Sequence, residues 1–359
     1  MSRAAVFRSA AMVVLFTALA AGGCASVAES SEVVEYDGRS VKVDSLRAIK
    51  RQLTAAWSAD ALDAYIEYFG FPHNRATAYA ATAVESSAYR LFLLRLWPVE
   101  RAKIGRVLVV HGYMGHSGHH AALATALLEA GYEVFLLDLP GHGLSSGAPN
   151  TIDSFASYSD AVEAAIRRIQ STSATDLPLL AVGHSTGASA LLDLVVRRRE
   201  GASAVCGMVF AAPLVRIRHH RIRSFAARTL LRRPMRLPIA LPISSGSIRN
   251  PAFRRFVQAG DPLLHPLFDP QWLSALDDWS ARVQELPVVT WDGRLLVLQG
   301  TSDNVVAWRH NTRILGDLFP DARILLYQRY PHTILNEAPA HLEPVIREIL
   351  DFLTAQVHS

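Results

Sequence analysis

The chain has only two cysteines among its 359 residues, Cys24 and Cys206. Exported domains that depend on disulfides carry several pairs, so this fold must be stabilised by other means. Cys206 lies in the apolar run 205–210, which predicts a small, buried hydrophobic side chain in a core strand.

Long apolar runs are also scarce. Beyond the N-terminus, none reaches the length of a membrane span, and there is no repeat or low-complexity tract. Half of the residues are nevertheless apolar, so the chain can bury a sizeable core. Its length allows one to three domains.

Acidic residues are absent from the stretch 201–260, which contains eleven arginines. In a chain of net charge +4, this is a strong local asymmetry. It indicates either a solvated basic face or attraction to anionic lipid headgroups or an anionic substrate. Nucleic acid is the poorer interpretation, because no recognisable binding motif is present.

The most informative segment is Gly-His-Ser-Thr-Gly at 183–187. An apolar run precedes it and a helical apolar pattern follows, which is the strand–turn–helix context of a nucleophile elbow. Gly183 and Gly187 allow the tight turn, Ser185 projects its hydroxyl, and the Thr186 backbone N–H faces the reacting carbonyl. Ser185 is therefore the candidate nucleophile.

A second Gly-x-Ser-x-Gly motif occupies 143–147. It lies in a polar stretch, with no strand ending in it and no helix starting from it. This pattern is typical of a loop, so Ser145 is not the predicted nucleophile.

The acid and the histidine of such a site follow the serine in the chain. Asp303 comes directly after the apolar run 294–299, among turn residues, and His332 follows the run 324–327 in a loop. Loops at strand ends display catalytic groups, so these two are the candidates. The alternatives are a turn-forming aspartate and a surface histidine. The remaining later histidines lie in helical runs or in the tail: His310, His341 and His358.

An oxyanion hole needs a second backbone donor. The run 106–110 leads into His111 and Gly112, so the Tyr113 N–H is the expected donor. A histidine-rich loop follows (His111, His116, His119 and His120), but its spacing fits no common zinc pattern and it contains no cysteine or carboxylate. No metal ligand is therefore predicted.

Five segments together resemble the α/β-hydrolase superfamily, and more narrowly its monoacylglycerol lipase/lysophospholipase (serine aminopeptidase S33-like) branch. They are residues 111–112, 131–145, the elbow, 300–306 and 332–337. The resemblance implies an α/β fold with a mostly parallel sheet, helices on both faces and an inserted cap. It also implies a serine hydrolase that cleaves carboxylic esters of monoacyl lipids without a cofactor. Residues 114–120 lack the glutamate and arginine usual in that branch.

Other functions would share the same serine, histidine and acid: thioesterase, aryl esterase, peptidase and acyltransferase. A catalytically silent binding lipoprotein is a further alternative. The sequence does not separate the enzymes, because substrate choice depends on the shape of cap and pocket. It does not indicate the oligomeric state either.

Residues 1–23 have the order of a secretion signal, with basic Arg3 and Arg8, an apolar stretch at 10–21 and small residues before Cys24. This order resembles the bacterial lipobox, which implies that Cys24 receives lipid. An ordinary signal peptide and an internal helix are the alternatives. Because Ala25 is not aspartate, the resemblance to Gram-negative sorting signals favours the outer membrane. The expected location is the cell envelope.

The predicted organisation has four parts after this signal. Residues 24–79 form a tether and a helical extension, with helices at 44–57 and 59–68. Residues 80–216 and 287–359 form the hydrolase core, and the proline-punctuated stretch 217–286 forms the cap. Core strands are expected as a hairpin over 82–97 and near 106–110, 133–137, 178–182, 205–210, 294–299 and 323–328.

Overall fold

The computed structural model describes residues 33–36, 39–42, 59–172, 177–197, 199–220, 237–238, 247–265 and 267–357. The chain divides into two units, Met1–Val33 and Val34–Ser359. The predicted signal, Cys24, the expected helix at 44–57 and His358 lie outside the described residues. The elements below belong to the second unit, apart from the first residue of the first strand.

The strands are β1 Val33–Tyr36, β2 Arg39–Lys42, β3 Thr77–Ser86, β4 Tyr89–Pro98, β5 Gly105–Val110, β6 Tyr132–Leu137, β7 Leu179–His184, β8 Val205–Ala211, β9 Leu237–Pro238, β10 Leu267–Phe268, β11 Arg294–Gly300 and β12 Arg323–Tyr327. Eight of them form one sheet in the order β12-β11-β8-β7-β5-β6-β4-β3. The six strands from β12 to β6 in this order are parallel to one another, and β3 and β4 form an antiparallel hairpin at one edge, where β4 is antiparallel to β6. The predicted strands and hairpin are therefore confirmed.

Successive residues along the central strands enter two different core clusters. In β5, for example, Leu108 and Val110 belong to one cluster, whereas Val107 and Val109 belong to the other. All four are at most 1 % exposed. Since neighbouring side chains of a strand point to opposite faces, both faces of the sheet are covered.

The helices are α1 Ala59–Phe69, α2 Ala121–Glu129, α3 Ala156–Thr172, α4 Thr186–Val196, α5 Glu200–Ser203, α6 Pro251–Arg255, α7 Pro270–Gln284, α8 Trp308–Leu318 and α9 Pro339–Val357. The buried residues of α1, α2 and α9 join one cluster, and those of α3, α4, α7 and α8 join the other. The fold is therefore a mostly parallel sheet between two helical layers, as predicted. Among the described residues, no helix combines the length and the apolar content needed to cross a membrane.

The stretch 217–286 differs from the predicted cap at its C-terminal end. Helix α7 lies within it, yet its side chains Trp272, Leu276 and Trp279 are at most 3 % exposed and belong to the main core. This helix therefore packs into the core cluster on one side of the sheet. Residues 221–236 and 239–246, the middle of the predicted cap, lie outside the described residues.

One smaller prediction also differs. Cys206 lies in β8, as expected, but its side chain is half-buried rather than buried. Its thiol donates to the Leu179 carbonyl oxygen at 3.3 Å, and burial raises the pKa of the thiol.

Candidate active site

The chain turns sharply at Ser185, between β7 and α4. Its φ of 51° and ψ of −111° are a conformation that costs a non-glycine residue about 1–3 kcal/mol. A Cβ on Gly183 would lie 2.6 Å from the Ala188 backbone nitrogen, and one on Gly187 would lie 2.2 Å from the Val110 carbonyl oxygen. Any larger residue at either glycine would push strand and helix apart, so the predicted elbow and its two glycines are present.

Ser185, His332 and Asp303 form one line of hydrogen bonds. His332 Nε2 lies 3.0 Å from Ser185 Oγ, and His332 Nδ1 lies 2.7 Å from Asp303 Oδ2. The three residues are 5 %, 8 % and 5 % exposed. Strands β7 and β11 and the loop after β12 thus bring together the three side chains that the sequence singles out.

The Asp303 carboxylate determines the tautomer of His332. Burial favours the neutral acid, but His332 and the Val305 and Val306 N–H groups outweigh it and hold the pKa of Asp303 below its usual value. An ionised carboxylate only accepts hydrogen bonds, so His332 Nδ1 carries the proton. The Nε2 lone pair then faces the Ser185 hydroxyl, as a general base requires.

His184 supports the loop that carries His332. Its Nε2 donates to the His332 carbonyl oxygen at 3.1 Å. Burial, together with the neighbouring His332, lowers the pKa of His184 to about 3. His184 therefore stays neutral near pH 7 and adds no charge beside His332.

The loop after β5 lies directly against Ser185. A Cβ on Gly112 would lie 2.8 Å from His184 Nδ1 and 3.1 Å from Ser185 Cβ. The Ser185 N–H donates to the Ala211 carbonyl oxygen at 2.9 Å, whereas no described backbone carbonyl accepts from the Tyr113 or the Thr186 N–H. These two donors are therefore available to a bound oxyanion.

The Tyr113 side chain is held on two sides. Its ring stacks on the Trp272 indole of α7, with centroids 3.8 Å apart and an interplanar angle of 24°. Its hydroxyl donates to the Asn150 carbonyl oxygen at 2.8 Å. These contacts restrict the backbone from which the Tyr113 N–H projects.

Two histidines of the histidine-rich loop meet a distant carboxylate, Asp261. The Nε2 atoms of His116 and His119 lie 3.0 and 2.6 Å from Asp261 Oδ2. Burial favours the neutral acid, but the two histidines hold the pKa of Asp261 well below its usual range. The sequence analysis found no carboxylate within the loop, and this one comes from 142 residues further along the chain.

The ligand atoms of these three residues lie within 4.8 Å of one another, which is close enough to hold a metal ion. The Gly118 N–H, however, donates to His116 Nδ1 at 3.1 Å. A neutral His116 therefore carries its proton on Nε2 and donates it to Asp261, so Nε2 offers no lone pair to a metal. The arrangement is that of a hydrogen-bonded cluster, which joins the histidine-rich loop to the segment before α7.

The other two histidines of that loop lie apart from this cluster. His111 accepts from the Leu139 N–H at 2.9 Å, and burial lowers its pKa well below the usual value. His120 is likewise buried, with a lowered pKa.

Ser145, His310 and His341, which the sequence analysis excludes from the site, lie in the kinds of element predicted for them. Ser145 is in a loop, and its Oγ accepts from the Phe92 N–H at 2.9 Å. His310 and His341 lie in α8 and α9.

Sequence reasoning missed two buried polar residues near the site, Asp261 and Gln299. Asp261 is the first acidic residue after the acid-free stretch 201–260, a signal that could have singled it out. Gln299 is the polar residue at the C-terminal end of the run 294–299, and its amide donates to Asp303 Oδ2 at 3.1 Å.

The sheet order, the elbow and the Ser–His–Asp line define an α/β-hydrolase. Residues 101–339 match the family described as serine aminopeptidase, S33, and the chain belongs to that family.

Two relatives that the chain matches are less than 30 % identical to it. The chain is 29 % identical to Phospholipase YtpA from Bacillus subtilis over 117 residues, 33 % of this chain and 43 % of that protein. It therefore spans less than half the length of that relative. It is 24 % identical to a monoacylglycerol lipase from Mycolicibacterium smegmatis over 272 residues, 74 % of this chain and 91 % of the relative.

The fold is shared with solved structures. A soluble variant of monoglyceride lipase from Saccharomyces cerevisiae, in complex with a substrate analog, superimposes with a TM-score of 0.67 at 19 % identity. The superposition covers 80 % of this chain and 98 % of that one.

Proposed function

We propose that this protein hydrolyses carboxylic esters of monoacyl lipids through an acyl-serine intermediate. The observation that carries the proposal is the line of hydrogen bonds from Asp303 through His332 to Ser185 at a strained elbow. Such a line makes a serine hydroxyl nucleophilic at neutral pH.

In the first half of the reaction, Ser185 Oγ attacks the ester carbonyl carbon while His332 Nε2 takes the hydroxyl proton. The Tyr113 and Thr186 N–H groups stabilise the resulting oxyanion. The tetrahedral intermediate collapses, the bond to the alcohol oxygen breaks, and His332 returns the proton to that oxygen. Asp303 stabilises the imidazolium form of His332 between these steps.

In the second half, water attacks the acyl-serine, and His332 takes one of its protons. Collapse of the second tetrahedral intermediate releases the fatty acid and returns the proton to Ser185 Oγ. Atoms and protons balance, and no step requires a metal or cofactor.

Support for the substrate class comes from the relatives that the chain matches. The matched relatives are named as a phospholipase and a monoacylglycerol lipase, whose substrates are lipid esters. The family description names an aminopeptidase, so amides must be tested beside esters.

A substrate panel tests the proposal. The purified chain is assayed with monoacylglycerol, lysophospholipid, a short p-nitrophenyl ester and an aminoacyl amide, with Ser185→Ala as the control. We expect the lipid monoesters to give the highest kcat/KM and the variant to be inactive. Faster cleavage of the amide, or an unlabelled Ser185 after treatment with a fluorophosphonate, would contradict the proposal.

We further propose that the protein is exported and anchored in the cell envelope through lipid on Cys24, at the outer membrane. Support comes from the order of basic, apolar and small residues before this cysteine. An anchor of this kind would keep the enzyme at the surface that contains its substrates.

The basic stretch 201–260 is proposed to favour anionic interfaces near this surface. Six of its eleven arginines lie outside the described residues. Among the described ones, Arg216 donates to Gln284, Arg249 pairs with Glu337, and Arg254 donates to the Ile248 carbonyl oxygen. These three therefore have roles within the fold, and the proposal rests mainly on the others.

A further inference from the structure

Gln299 is a fully buried amide at the end of β11, four residues before Asp303. It is 0 % exposed. Its Nε2 donates to the Gly300 carbonyl oxygen at 2.9 Å and to Asp303 Oδ2 at 3.1 Å. Both partners only accept hydrogen bonds, so the atom between them is the amide nitrogen and the orientation of the amide is settled.

The two oxygens of Asp303 are held by different groups. Oδ1 accepts from the Val305 and Val306 N–H groups at 2.8 and 3.0 Å. Oδ2 accepts from His332 Nδ1 and from Gln299 Nε2. The four acceptor positions of the carboxylate are therefore filled.

On the His332 side, Gln299 is the partner that matters for orientation. The position of Asp303 Oδ2 determines the orientation of the His332 ring. A group other than His332 must therefore hold this oxygen in place. Gln299 can hold the oxygen because its own backbone is fixed in the sheet, where it lies opposite Leu326 of β12 in the parallel ladder. It thereby links the acid to the rigid sheet.

The oxygen of the Gln299 amide makes no comparable contact with the described residues. Oε1 is buried, and no described residue donates a hydrogen bond to it. An unsatisfied buried amide oxygen lowers stability, and an apolar side chain of the same size would avoid this loss. A local arrangement that lowers stability is typical of a functional position.

We propose that Gln299 is a positioning residue that holds Asp303 Oδ2 in place for His332. The inference rests on the proposed hydrolase function and deepens it. Gln299 acts through Asp303 and touches neither substrate nor oxyanion. Its contribution therefore belongs to the transition state, when the imidazolium forms, and not to substrate binding.

The test uses two substitutions of similar size in the full chain. Gln299→Met removes the donor and the unsatisfied oxygen together. Gln299→Glu keeps the shape but places a carboxyl beside Asp303. Gln356→Met is the matched control, because the Gln356 amide donates to the Phe352 carbonyl oxygen within α9, away from the site. A fluorophosphonate titration counts the folded sites, and Tm reports stability.

For Gln299→Met we expect kcat per titrated site to fall about tenfold, with KM within about twofold and Tm unchanged or raised. Gln356→Met should keep kcat. A purely structural role would instead lower Tm and the number of titrated sites, with kcat per site intact. That result, or an unchanged kcat in Gln299→Met, would overturn the inference.

Gln299→Glu adds a pH readout. The ionisable group that Gln299 contacts is Asp303, and His332 binds the same Asp303 oxygen. The Asp303 charge and burial raise the pKa of a carboxyl placed there, and its protonated form can donate to Oδ2 as the amide does. The kcat relative to the wild-type protein should therefore fall as the pH rises from about 5 to about 8. A constant ratio across this range would contradict the inference.

The same experiment separates this inference from the function beneath it. If the wild-type protein neither hydrolyses esters nor reacts with the fluorophosphonate, the proposed function fails, and the inference fails with it. If the wild-type protein is active and Gln299→Met equals it, the inference alone fails.

Discussion

Arg249 and Glu337 form an ion pair beside the loop that carries His332. Arg249 Nε donates to Glu337 Oε2 at 2.7 Å, and the Glu337 side chain is 1 % exposed while that of Arg249 is 36 % exposed. The Arg249 guanidinium also lies over the Tyr330 ring, 4.7 Å from its centroid. The pair thus fastens the segment that precedes α6 to the loop that carries His332.

Removal of this arginine should destabilise the fold. Arg249→Met leaves the buried Glu337 carboxylate unpaired, and we expect the free energy of unfolding to fall by about 1–3 kcal/mol. Urea denaturation measures the change. Arg347→Met is the control, since its pair with Glu343 is exposed, and about 0.5 kcal/mol or less is expected there. The double variant Arg249→Met/Glu337→Leu should recover part of the loss, and equal losses in both single arginine variants would contradict the role.

Ser185→Ala should abolish ester hydrolysis, with a loss of about 10⁴-fold or more in kcat/KM and no change in fold. Ser145→Ala should keep its activity. It loses the hydrogen bonds that Ser145 Oγ accepts from the Phe92 N–H and donates to the Asp138 carbonyl oxygen, so its effect is a small fall in stability of about 1 kcal/mol. The assay is turnover of a short p-nitrophenyl ester, with circular dichroism to verify the fold. An active Ser185→Ala together with an inactive Ser145→Ala would reverse the assignment of the two serines.

Asp303→Asn should lower kcat by about 10⁴-fold while stability changes little. The amide is the same size, but it can present an N–H to His332 Nδ1 and favour the tautomer in which Nε2 no longer accepts the serine proton. The rate at which a fluorophosphonate phosphonylates Ser185, with loss of fluoride, measures the effect on the nucleophile. Near-wild-type phosphonylation would remove Asp303 from its proposed role.

The free energy of unfolding should fall steeply as the pH drops below about 6.5, the usual pKa of histidine. Burial lowers the pKa of His142 to about 4 and that of His184 to about 3. The unfolded chain takes up these protons near pH 6.5, while the folded chain does not until lower pH. Each histidine therefore removes stability as the pH falls, by roughly 3 kcal/mol for His142 and roughly 5 kcal/mol for His184 over the whole window.

Urea unfolding between about pH 7 and about pH 5 measures this slope. His142→Asn should reduce the number of protons taken up on unfolding by about one, because asparagine does not titrate. Its amide can still donate towards the Pro140 carbonyl oxygen that His142 Nδ1 contacts. A slope equal to that of the wild-type protein would show that His142 is not held neutral.

Cys24 should carry lipid in the mature protein. Mass spectrometry of the N-terminal peptide should find a modified Cys24, and the protein should enter the detergent phase with membranes. Cys24→Ser should block both modification and cleavage of the signal by the lipoprotein pathway. An unmodified mature N-terminus at or beyond Ala25 would favour simple secretion instead.

Local patterns were sufficient for much of this molecule. The central strands are predicted because they are buried on both faces and read as continuous apolar runs bounded by turn residues. The elbow is predicted because its glycines are imposed by contacts with Ala188 and Val110. Asp303 and His332 are selected because each follows such a run.

The remainder depends on contacts between distant parts of the chain. Asp261 meets His116 across 145 residues, and no spacing in the sequence connects them. Helix α7 lies in the stretch that the proline pattern predicts as cap, and its two tryptophans face the core. Gln299 was overlooked because one polar residue does not interrupt an apolar strand pattern.

The three glycines around Ser185 have a consequence for protein engineering. Gly112 lies against the elbow, and Gly187 lies against the end of β5, so backbone packing sets the spacing between Ser185 and the Tyr113 and Thr186 N–H groups. A Cβ at any of the three glycines would shift this spacing. Substitutions made to change selectivity should therefore leave all three glycines in place.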